Sequence, residues 1–242
     1  MLCTGVLFIE TSHMQYLQRI SIVVPALNEA SNILRTLLPL QQLRSDGHQI
    51  IVVDGGSSDS TVSIAAPLAD IVFTSDRGRA VQMNAGAALA ANEILLFLHA
   101  DTQLPSAALT DILEGLDETS KVWGRFDIRL SGNRILFRLV ERMMNWRSCL
   151  TGIATGDQAI FVKRDLFEQL GRYSEIPLME DIALCSQLKK YSRPLCLSRK
   201  VISSSRRWES AGVIRTITLM LILRLAYALG ISPQRLARAY QN

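Results

Sequence analysis

The sequence predicts an α/β fold: a mostly parallel, Rossmann-like sheet flanked by helices, with a helical appendage at the C-terminus. Short apolar runs rich in β-branched residues alternate with segments of helical spacing between residues 20 and 101, which is typical of parallel strands covered on both faces. Hydrophobic residues make up 48% of the 242 residues and charged residues 20%. This composition can build a sizeable core and is too apolar for a disordered chain.

The first part of the chain is predicted to follow the order β-α-β-α-β-α-β. The predicted strands read ISIVV (20–24), QIIVVD (49–54), DIVFTS (70–75) and EILLFLHAD (93–101). The helices between them read SNILRTLLPLQQL, SSDSTVSIAAPLA and GRAVQMNAGAALAA. Ser31 is predicted to cap the first of these helices at its N-terminus.

The second part continues with longer elements. The predicted order is a strand (121–130), a helix (134–146), a strand and helix closed by Gly171 (156–171), a helix (179–190), an extended segment (194–205) and a long apolar helix (212–231). We therefore predict an N-terminal tail (1–18), one main domain (19–210) and a C-terminal apolar or amphipathic helical segment (211–242).

Polar residues follow the first, second and fourth predicted strands, where parallel sheets bind ligands. Asp101 suits a magnesium or manganese ion, since both prefer oxygen ligands, and His99 shares its face if the segment is extended. The alternative is that Asp101 caps a turn. Asp54 is predicted to accept hydrogen bonds from a base or sugar, although an ordinary β-α turn explains it too. Pro25, Asn28 and Glu29 stand at the end of the first strand.

Charged residues elsewhere suit the same kind of ligand. Arg77 and Arg79 precede a helix, where guanidinium groups can bind a diphosphate; the alternative is solvated surface arginines. Glu180 and Asp181 begin a helix, where a positioned carboxylate can remove a proton from a hydroxyl, or where both acids only complement the helix dipole. Arg206, Arg207 and Trp208 suit a diphosphate and a stacked ring, or form a basic loop with one core aromatic.

Charge and cysteine content narrow the function classes. The net charge of +4 suits an anionic substrate or membrane surface. The chain has no long basic block of the kind that would indicate nucleic-acid binding. The cysteines at 3, 149, 185 and 196 form no C-x-x-C pair, so we expect reduced thiols and a cytoplasmic protein. The apolar N-terminus lacks a basic leader, so we expect no signal peptide, and residues 1–13 read as a tail or an overlong start.

The long C-terminal helix is apolar but interrupted by Arg215 and Arg224. An arginine at the middle of a bilayer costs roughly 2.5–3.5 kcal/mol on insertion scales, so we expect no clean transmembrane span. The helix is predicted to lie in the membrane interface, giving a peripheral protein on the inner face of the membrane, or to pack on the main domain or a second subunit. The sequence leaves these alternatives open.

Taken together, these segments resemble glycosyltransferase family 2, which has the GT-A fold. The resemblance rests on SIVVPALNEASNI, IIVVDGGSSDST, RGRAVQMNAG, LLFLHADTQLP, GDQAIFVKRDLF, MEDIAL and SRRW, which follow one another in the family's order. The segments His-Ala-Asp-Thr and Arg-Arg-Trp are similar to those of a small bacterial branch of this family.

The resemblance implies an inverting, hexosyltransferase-type enzyme that uses a nucleotide-sugar, by default a uridine diphosphate sugar, with Mg²⁺ or Mn²⁺. It implies that Asp101 matches the final Asp of the Asp-x-Asp metal motif and that Asp181 matches the catalytic base. The nucleotide-sugar pocket implied by the resemblance comprises Pro25, Asn28, Glu29, Asp54, Arg77, Arg79, Asp101, Arg206, Arg207 and Trp208.

The chain departs from the family pattern at His99, which replaces the first Asp of the metal motif and leaves metal strength and identity open. Two other functions remain alternatives. A nucleotidyltransferase that makes a nucleotide-sugar would want a Gly-rich phosphate loop with a lysine near the first strand, which PALNEASN lacks. A non-catalytic nucleotide-sugar-binding module would not need both Asp101 and Asp181.

Overall fold

The computed structural model describes residues 18–241, without the side chains of Arg207 and Gln241. The predicted tail therefore lies outside the described residues except for its last position, and so does Cys3. Eight strands of the described chain form one sheet in the order β3-β2-β1-β4-β7-β6-β8-β5. The strands are β1 Ile20–Ala26, β2 Gln49–Asp54, β3 Ile71–Thr74, β4 Ile94–Phe97, β5 Thr102–Gln103, β6 Trp123–Leu130, β7 Phe161–Lys163 and β8 Leu195–Ser203.

The first half of the sheet is parallel and the second half is mixed. Strands β3, β2, β1 and β4 pair in parallel, as predicted. Strand β7 then pairs antiparallel with both β4 and β6, β8 runs parallel to β6, and β5 runs antiparallel to β8. The parallel half carries the continuous apolar runs of a sheet buried on both faces.

Helices cover both faces of this sheet. They are α1 Ile33–Leu37, α2 Gln41–Ser45, α3 Thr61–Ala65, α4 Arg79–Ala88, α5 Ala108–Asp117, α6 Ile135–Thr151, α7 Arg164–Gln169, α8 Glu180–Leu188, α9 Arg206–Ala211, α10 Val213–Ala228 and α11 Pro233–Gln241. One apolar cluster joins α1, α5 and α6 to one face, and a second joins α4, α7 and α8 to the other.

Several local predictions need correction. The first predicted helix is three short pieces, because Pro39 lacks an N–H and sits in a 3₁₀ turn at Leu38–Leu40 between α1 and α2. The Ser31 cap is wrong, since Asn32 stands at the N-cap and no side chain caps the helix. Gly171 is confirmed as a helix stop, with a left-handed φ of 79° just beyond α7.

The C-terminal appendage is two helices. Helix α10 ends at Ala228, Gly230 adopts a left-handed φ of 84°, and Pro233 begins α11. Within residues 18–241, no helix is both long and apolar enough to cross a membrane. Leu223 and Leu236 of these helices pack against Met179, directly before α8, so the appendage contacts the main domain next to Glu180.

The prediction of reduced thiols is wrong for two cysteines. Cys149 at the end of α6 and Cys196 in β8 form a disulfide, with 5.9 Å between their Cα atoms, while Cys185 is free and buried. The partners are 47 residues apart, and only the packing of α6 beside β8 brings them together. Because disulfides are rare in reducing compartments, the cysteines no longer support a cytoplasmic location.

Removing this disulfide is expected to lower the free energy of unfolding. Closing a 47-residue loop restricts the unfolded chain, so Cys149→Ser should cost about 2–4 kcal/mol. Urea unfolding of the oxidised protein and the variant measures the difference, with Cys185→Ala as a variant that leaves the bond intact. Equal unfolding midpoints for the oxidised wild type and Cys149→Ser would contradict the pairing.

Candidate active site

The loops after β1 and β2 form one end of the candidate site. Asp54 ends β2 and is 2% exposed; its Oδ2 accepts hydrogen bonds from the N–H groups of Gly56 at 3.0 Å and Ser57 at 2.9 Å. Asn28 follows β1 in a left-handed conformation, and its Oδ1 accepts a hydrogen bond of 2.9 Å from the N–H of Ser58. The two loops are therefore fixed to each other by side chains that each loop supplies.

The second oxygen of Asp54 has the capacity to accept a hydrogen bond. Its Oδ1 is buried and has no hydrogen-bond partner among the described residues. A buried carboxylate oxygen without a partner is costly, and an N–H or O–H donor from a ligand would remove that cost. An unpaired Oδ1 is compatible with the predicted role of Asp54 as an acceptor for a base or sugar, and that role stays a prediction.

Three charged side chains meet beyond β1 and β4. The Arg206 Nη2 atom lies 3.0 Å from Oε2 of Glu29 and 3.6 Å from Oδ2 of Asp101. Burial and the negative charge of Glu29 raise the pKa of Asp101 above its ordinary value, although Arg206 opposes the shift. Two carboxylates and a guanidinium from distant parts of the chain thus converge at the carboxyl edge of the sheet.

The start of α8 forms the other end of the site. The Asp181 Oδ2 atom accepts a hydrogen bond of 3.1 Å from the N–H of Gly156, and Oδ1 accepts one of 2.7 Å from the N–H of Ile182. Arg79, the first residue of α4, donates to Oε1 of buried Glu180 at 3.1 Å. Burial and the charge of Asp181 raise the pKa of Glu180 despite this ion pair. The two backbone hydrogen bonds therefore hold the Asp181 carboxylate in one orientation. The ion pair between Glu180 and Arg79 links the start of α8 to the start of α4.

The turn into α8 carries backbone strain. Met179 stands at the N-cap with a left-handed φ of 71°, a conformation that costs a side-chain-bearing residue on the order of 1 kcal/mol or more. Its side chain is buried against Leu223 and Leu236. The packing of the C-terminal helices thus holds the conformation that sets the direction of Glu180 and Asp181.

His99 connects the two ends. A Cβ added to Gly156 would lie 2.5 Å from its Nε2 atom, so the ring packs directly on the backbone that donates to Asp181. Burial lowers the pKa of His99 to about 3, with a further contribution from the charge of Arg79, so the ring is neutral near pH 7. Asp101 is two residues further along the same segment. A turn closed by the Thr102 N–H on the His99 carbonyl, at 3.0 Å, lies between them, so the segment is not extended as the shared face required. The structure therefore places the start of the Asp101 segment beside Gly156, whose N–H donates to Asp181.

Sequence reasoning missed three charged residues near Asp181. Asp157 is half-buried with an unpartnered Oδ1, and burial raises its pKa. Arg147 of α6 donates to the carbonyl of Ile153 at 3.2 Å, and burial together with the charge of Arg224 lowers its pKa to about 10. Arg224 has a buried Nη2 without a partner within the described chain. Asp157 lies in the segment GDQAIFVKRDLF, but the sequence pattern assigned it no role. Nothing in the sequence linked Arg224 to the surroundings of Asp181.

Comparison with known proteins decides the family. The model of glycosyl transferase family 2 matches residues 21–171, which include β1, β2, β4 and the Asp101 segment. The chain belongs to glycosyltransferase family 2. A curated relative, a PGL/p-HBAD biosynthesis glycosyltransferase of Mycobacterium bovis, is 32% identical over 167 residues. That match covers 64% of this chain and 62% of the relative, so the chain spans less than two thirds of the relative's length.

Solved structures of similar fold are glycosyltransferases. A mannosyltransferase from Pyrobaculum calidifontis, in complex with GDP-Man and Mn²⁺, gives a TM-score of 0.65 at 22% identity over 93% of this chain and 70% of its own. Glucosyl-3-phosphoglycerate synthase from Mycobacterium tuberculosis, in complex with Mg²⁺ and UDP, gives a TM-score of 0.62 at 18% identity. That match covers 88% of this chain and 80% of the synthase chain. At these identities the likeness establishes the fold, and it confirms the predicted GT-A architecture.

Four other residues that the family pattern assigns to nucleotide-sugar binding lie in different surroundings. Pro25 is half-buried near the end of β1, and Arg77 is exposed before α4. Trp208 packs against the main apolar cluster, as a core aromatic does. The side chain of Arg207 lies outside the described part of the structure. Roles for these four residues in nucleotide-sugar binding stay predictions.

Asp101 would hold the Mg²⁺ or Mn²⁺ ion that the family resemblance predicts. No three His, Cys, Asp or Glu side chains in the described chain are arranged to hold an ion by themselves. Magnesium, however, takes one or two carboxylates and completes its shell with water and substrate phosphates. Asp101 beside Glu29 fits that pattern, whereas the Nε2 atom of His99 faces Gly156. Metal binding by His99 stays a prediction.

A groove away from these residues carries none of them. It has a volume of about 600 Å³ and is lined by α6, β6 and β8. Asp54, Asp101 and Asp181 are not among its lining residues. We assign the site from the convergence of charged groups at the carboxyl edge of the sheet, since chemistry decides function better than cavity size.

Proposed function

We propose that this chain transfers a sugar from a nucleotide-sugar to an acceptor hydroxyl in a single displacement that inverts the anomeric configuration. The observation that supports this most strongly is that Asp54 and Asp101 follow parallel strands at one edge of the sheet, while the ring of His99, two residues before Asp101, packs on Gly156, whose N–H donates to Asp181. A uridine diphosphate sugar is the default donor.

Donor binding is proposed to use the β1 and β2 loops. Asp54 accepts a hydrogen bond from the nucleobase or ribose through its unpartnered Oδ1. Arg77, Arg79 and Arg206 offer positive charge to the diphosphate, whose oxygens match the guanidinium geometry. A Mg²⁺ or Mn²⁺ ion at Asp101 offsets the negative charge of the leaving diphosphate when it is bound.

Proton transfer is proposed to use Asp181. Its carboxylate removes the proton of the acceptor hydroxyl as that oxygen attacks the anomeric carbon, and the bond to the diphosphate breaks. The hydrogen bonds from Gly156 and Ile182 leave each oxygen one further lone pair. Glu180 positions the helix start through Arg79. A second carboxylate that could form a covalent intermediate is not needed.

A direct assay separates this proposal from its alternatives. The purified chain is incubated with Mn²⁺ and a series of nucleotide-sugars, and release of nucleoside diphosphate is measured. Release from one donor supports a transferase. Pyrophosphate release from a nucleoside triphosphate and a sugar phosphate would instead show a nucleotidyltransferase. Saturable donor binding without consumption, in the presence of varied acceptors, would show a binding module.

Donor binding is expected to depend on the ionisation of Asp101. Because burial and Glu29 raise its pKa, metal-dependent binding should be lost as the pH falls through a value above the ordinary aspartate pKa of about 3.9. Arg206 opposes that shift, so Arg206→Gln should move the midpoint to still higher pH. Calorimetry with a nucleotide-sugar between acid and neutral pH measures it, with exposed Arg193→Gln as control. A midpoint that Arg206→Gln leaves unchanged or lowers would contradict this linkage.

A further inference from the structure

Helices α6 and α10 expose a row of large apolar side chains. In α6 the row repeats every three or four residues from Leu136 onward, which places it along one side of the helix. It comprises Ile135, Leu136, Leu139, Met143, Trp146 and Leu150, of which Ile135 is 87% and Trp146 69% exposed. In and just after α10 the exposed residues are Ile214, Leu221, Ile222, Leu225 and Leu229. We call these two rows together the apolar face.

The two helices lie beside each other. Near their N-terminal ends, Phe137 and Val140 of α6 belong to the same apolar cluster as Val213 of α10. Towards their C-terminal ends, Arg147 of α6 lies near enough to Arg224 of α10 for their charges to repel. The rows of the apolar face therefore belong to helices that pack on the same face of the sheet and come close to each other at Arg147 and Arg224. Elsewhere in the described chain, exposed large apolar residues such as Leu38 and Phe73 are scattered over other elements.

The charges that α6 and the C-terminal segment contribute beside the apolar face are mostly positive. Residues 213–242 contain Arg215, Arg224, Arg235 and Arg238 and no Asp or Glu. The segment 134–151 contains four further arginines and a single acid, Glu141, which is buried and paired with Arg138. Arg134, Arg142 and Arg215 are exposed beside the apolar residues.

This charge pattern decides between occupants. A second copy of the same face would bring arginines opposite arginines, and like charges across an interface weaken association. An anionic bilayer offers apolar chains beneath negative headgroups, which matches apolar residues flanked by arginines. Trp146 adds a side chain that favours the membrane–water boundary.

We propose that the apolar face of α6 and α10 docks this protein on an anionic lipid surface. The inference does not depend on the proposed function. It extends the membrane-binding surface beyond the C-terminal helices to α6, for which no such role was predicted. Since Leu223 of α10 packs against Met179, the docked helix α10 directly contacts the segment that carries Glu180 and Asp181.

Vesicle flotation of the full chain tests this inference. We expect the wild type to float with phosphatidylglycerol vesicles, to float less at high salt, and to remain unbound with phosphatidylcholine alone. Leu139→Glu and Leu225→Glu should each weaken vesicle binding about tenfold or more, since each removes a leucine from the buried contact. Leu38→Glu is the matched control, because Leu38 is 58% exposed and Leu139 is 55% exposed.

Thermal unfolding and nucleotide-sugar binding in solution, unchanged in all three variants, would show that they fold. The inference is overturned if the folded wild type does not bind the anionic vesicles. That result overturns it even if residues 1–17 or a second copy of the chain covers the apolar face. Light scattering, which measures the molecular mass in solution, would identify a second copy. It is also overturned if Leu38→Glu loses as much binding as Leu139→Glu.

Discussion

Asp181→Asn is expected to lower turnover by about 10²–10⁴-fold while the donor dissociation constant changes by less than about threefold. The amide keeps the shape of the side chain, and its oxygen can still accept the hydrogen bond from Gly156 or Ile182. It cannot take a proton from the acceptor. The loss should therefore fall on kcat, with donor binding by Asp54, Asp101 and the arginines preserved. Nucleoside diphosphate release and calorimetry with the donor measure the two quantities.

Two further variants make this result specific. Asp165 occupies the first turn of α7, as Asp181 does in α8, but it is exposed, so Asp165→Asn should turn over normally. Asp157 stands near Asp181 with an unpartnered oxygen, so Asp157→Asn asks whether the neighbouring acid is the base. If Asp181→Asn turns over normally and Asp157→Asn does not, Asp157 would be the catalytic base instead of Asp181. The location of the active site would stay the same.

Asp101→Ala is expected to abolish the part of donor binding that depends on a divalent ion. The variant removes the carboxylate best placed to hold the ion and leaves Arg206 paired with Glu29 at 3.0 Å. In calorimetry, adding Mn²⁺ should tighten donor binding to the wild type about tenfold or more and leave the variant unchanged, since a bound cation neutralises diphosphate charge. Binding without the ion should persist through Asp54.

The controls for this prediction use residues of matched type. Asp117 is an exposed aspartate at the end of α5, and Asp117→Ala should keep the metal response. His99→Gln tests the second ligand that the sequence predicted: loss of the metal response there would make His99 a ligand, and its retention would leave Asp101 as the anchor. A full metal response in Asp101→Ala would refute the assignment of Asp101.

The parallel half of the fold was predictable because its signals are local. Each of its strands is a short apolar run, and Asp54 stands at the end of one of them. The antiparallel turn of the sheet at β7 depends on pairings between distant segments, which no local pattern encodes. Helix α5 was overlooked although Leu109, Ile112 and Leu116 have helical spacing and are buried.

The site was predictable where residues follow strands and obscure where packing assembles it. Asp54, Asp101 and Asp181 were proposed from their positions at element ends, and their roles stay predictions. Arg224 was interpreted only as an interruption of an apolar helix, because its proximity to Arg147 requires α10 to fold back on the main domain. The Cys149–Cys196 bond was missed for the same reason: its partners have no spacing signal in the sequence.

The stereochemistry of transfer tests the central claim most directly. Proton NMR of the anomeric signal follows the first-formed product from a donor of known configuration, before free sugar can equilibrate. One displacement at a cleft with Asp181 as base predicts inversion, so an α-linked donor gives a β product. Retention of configuration would require a second reacting group on the sugar and would contradict the account.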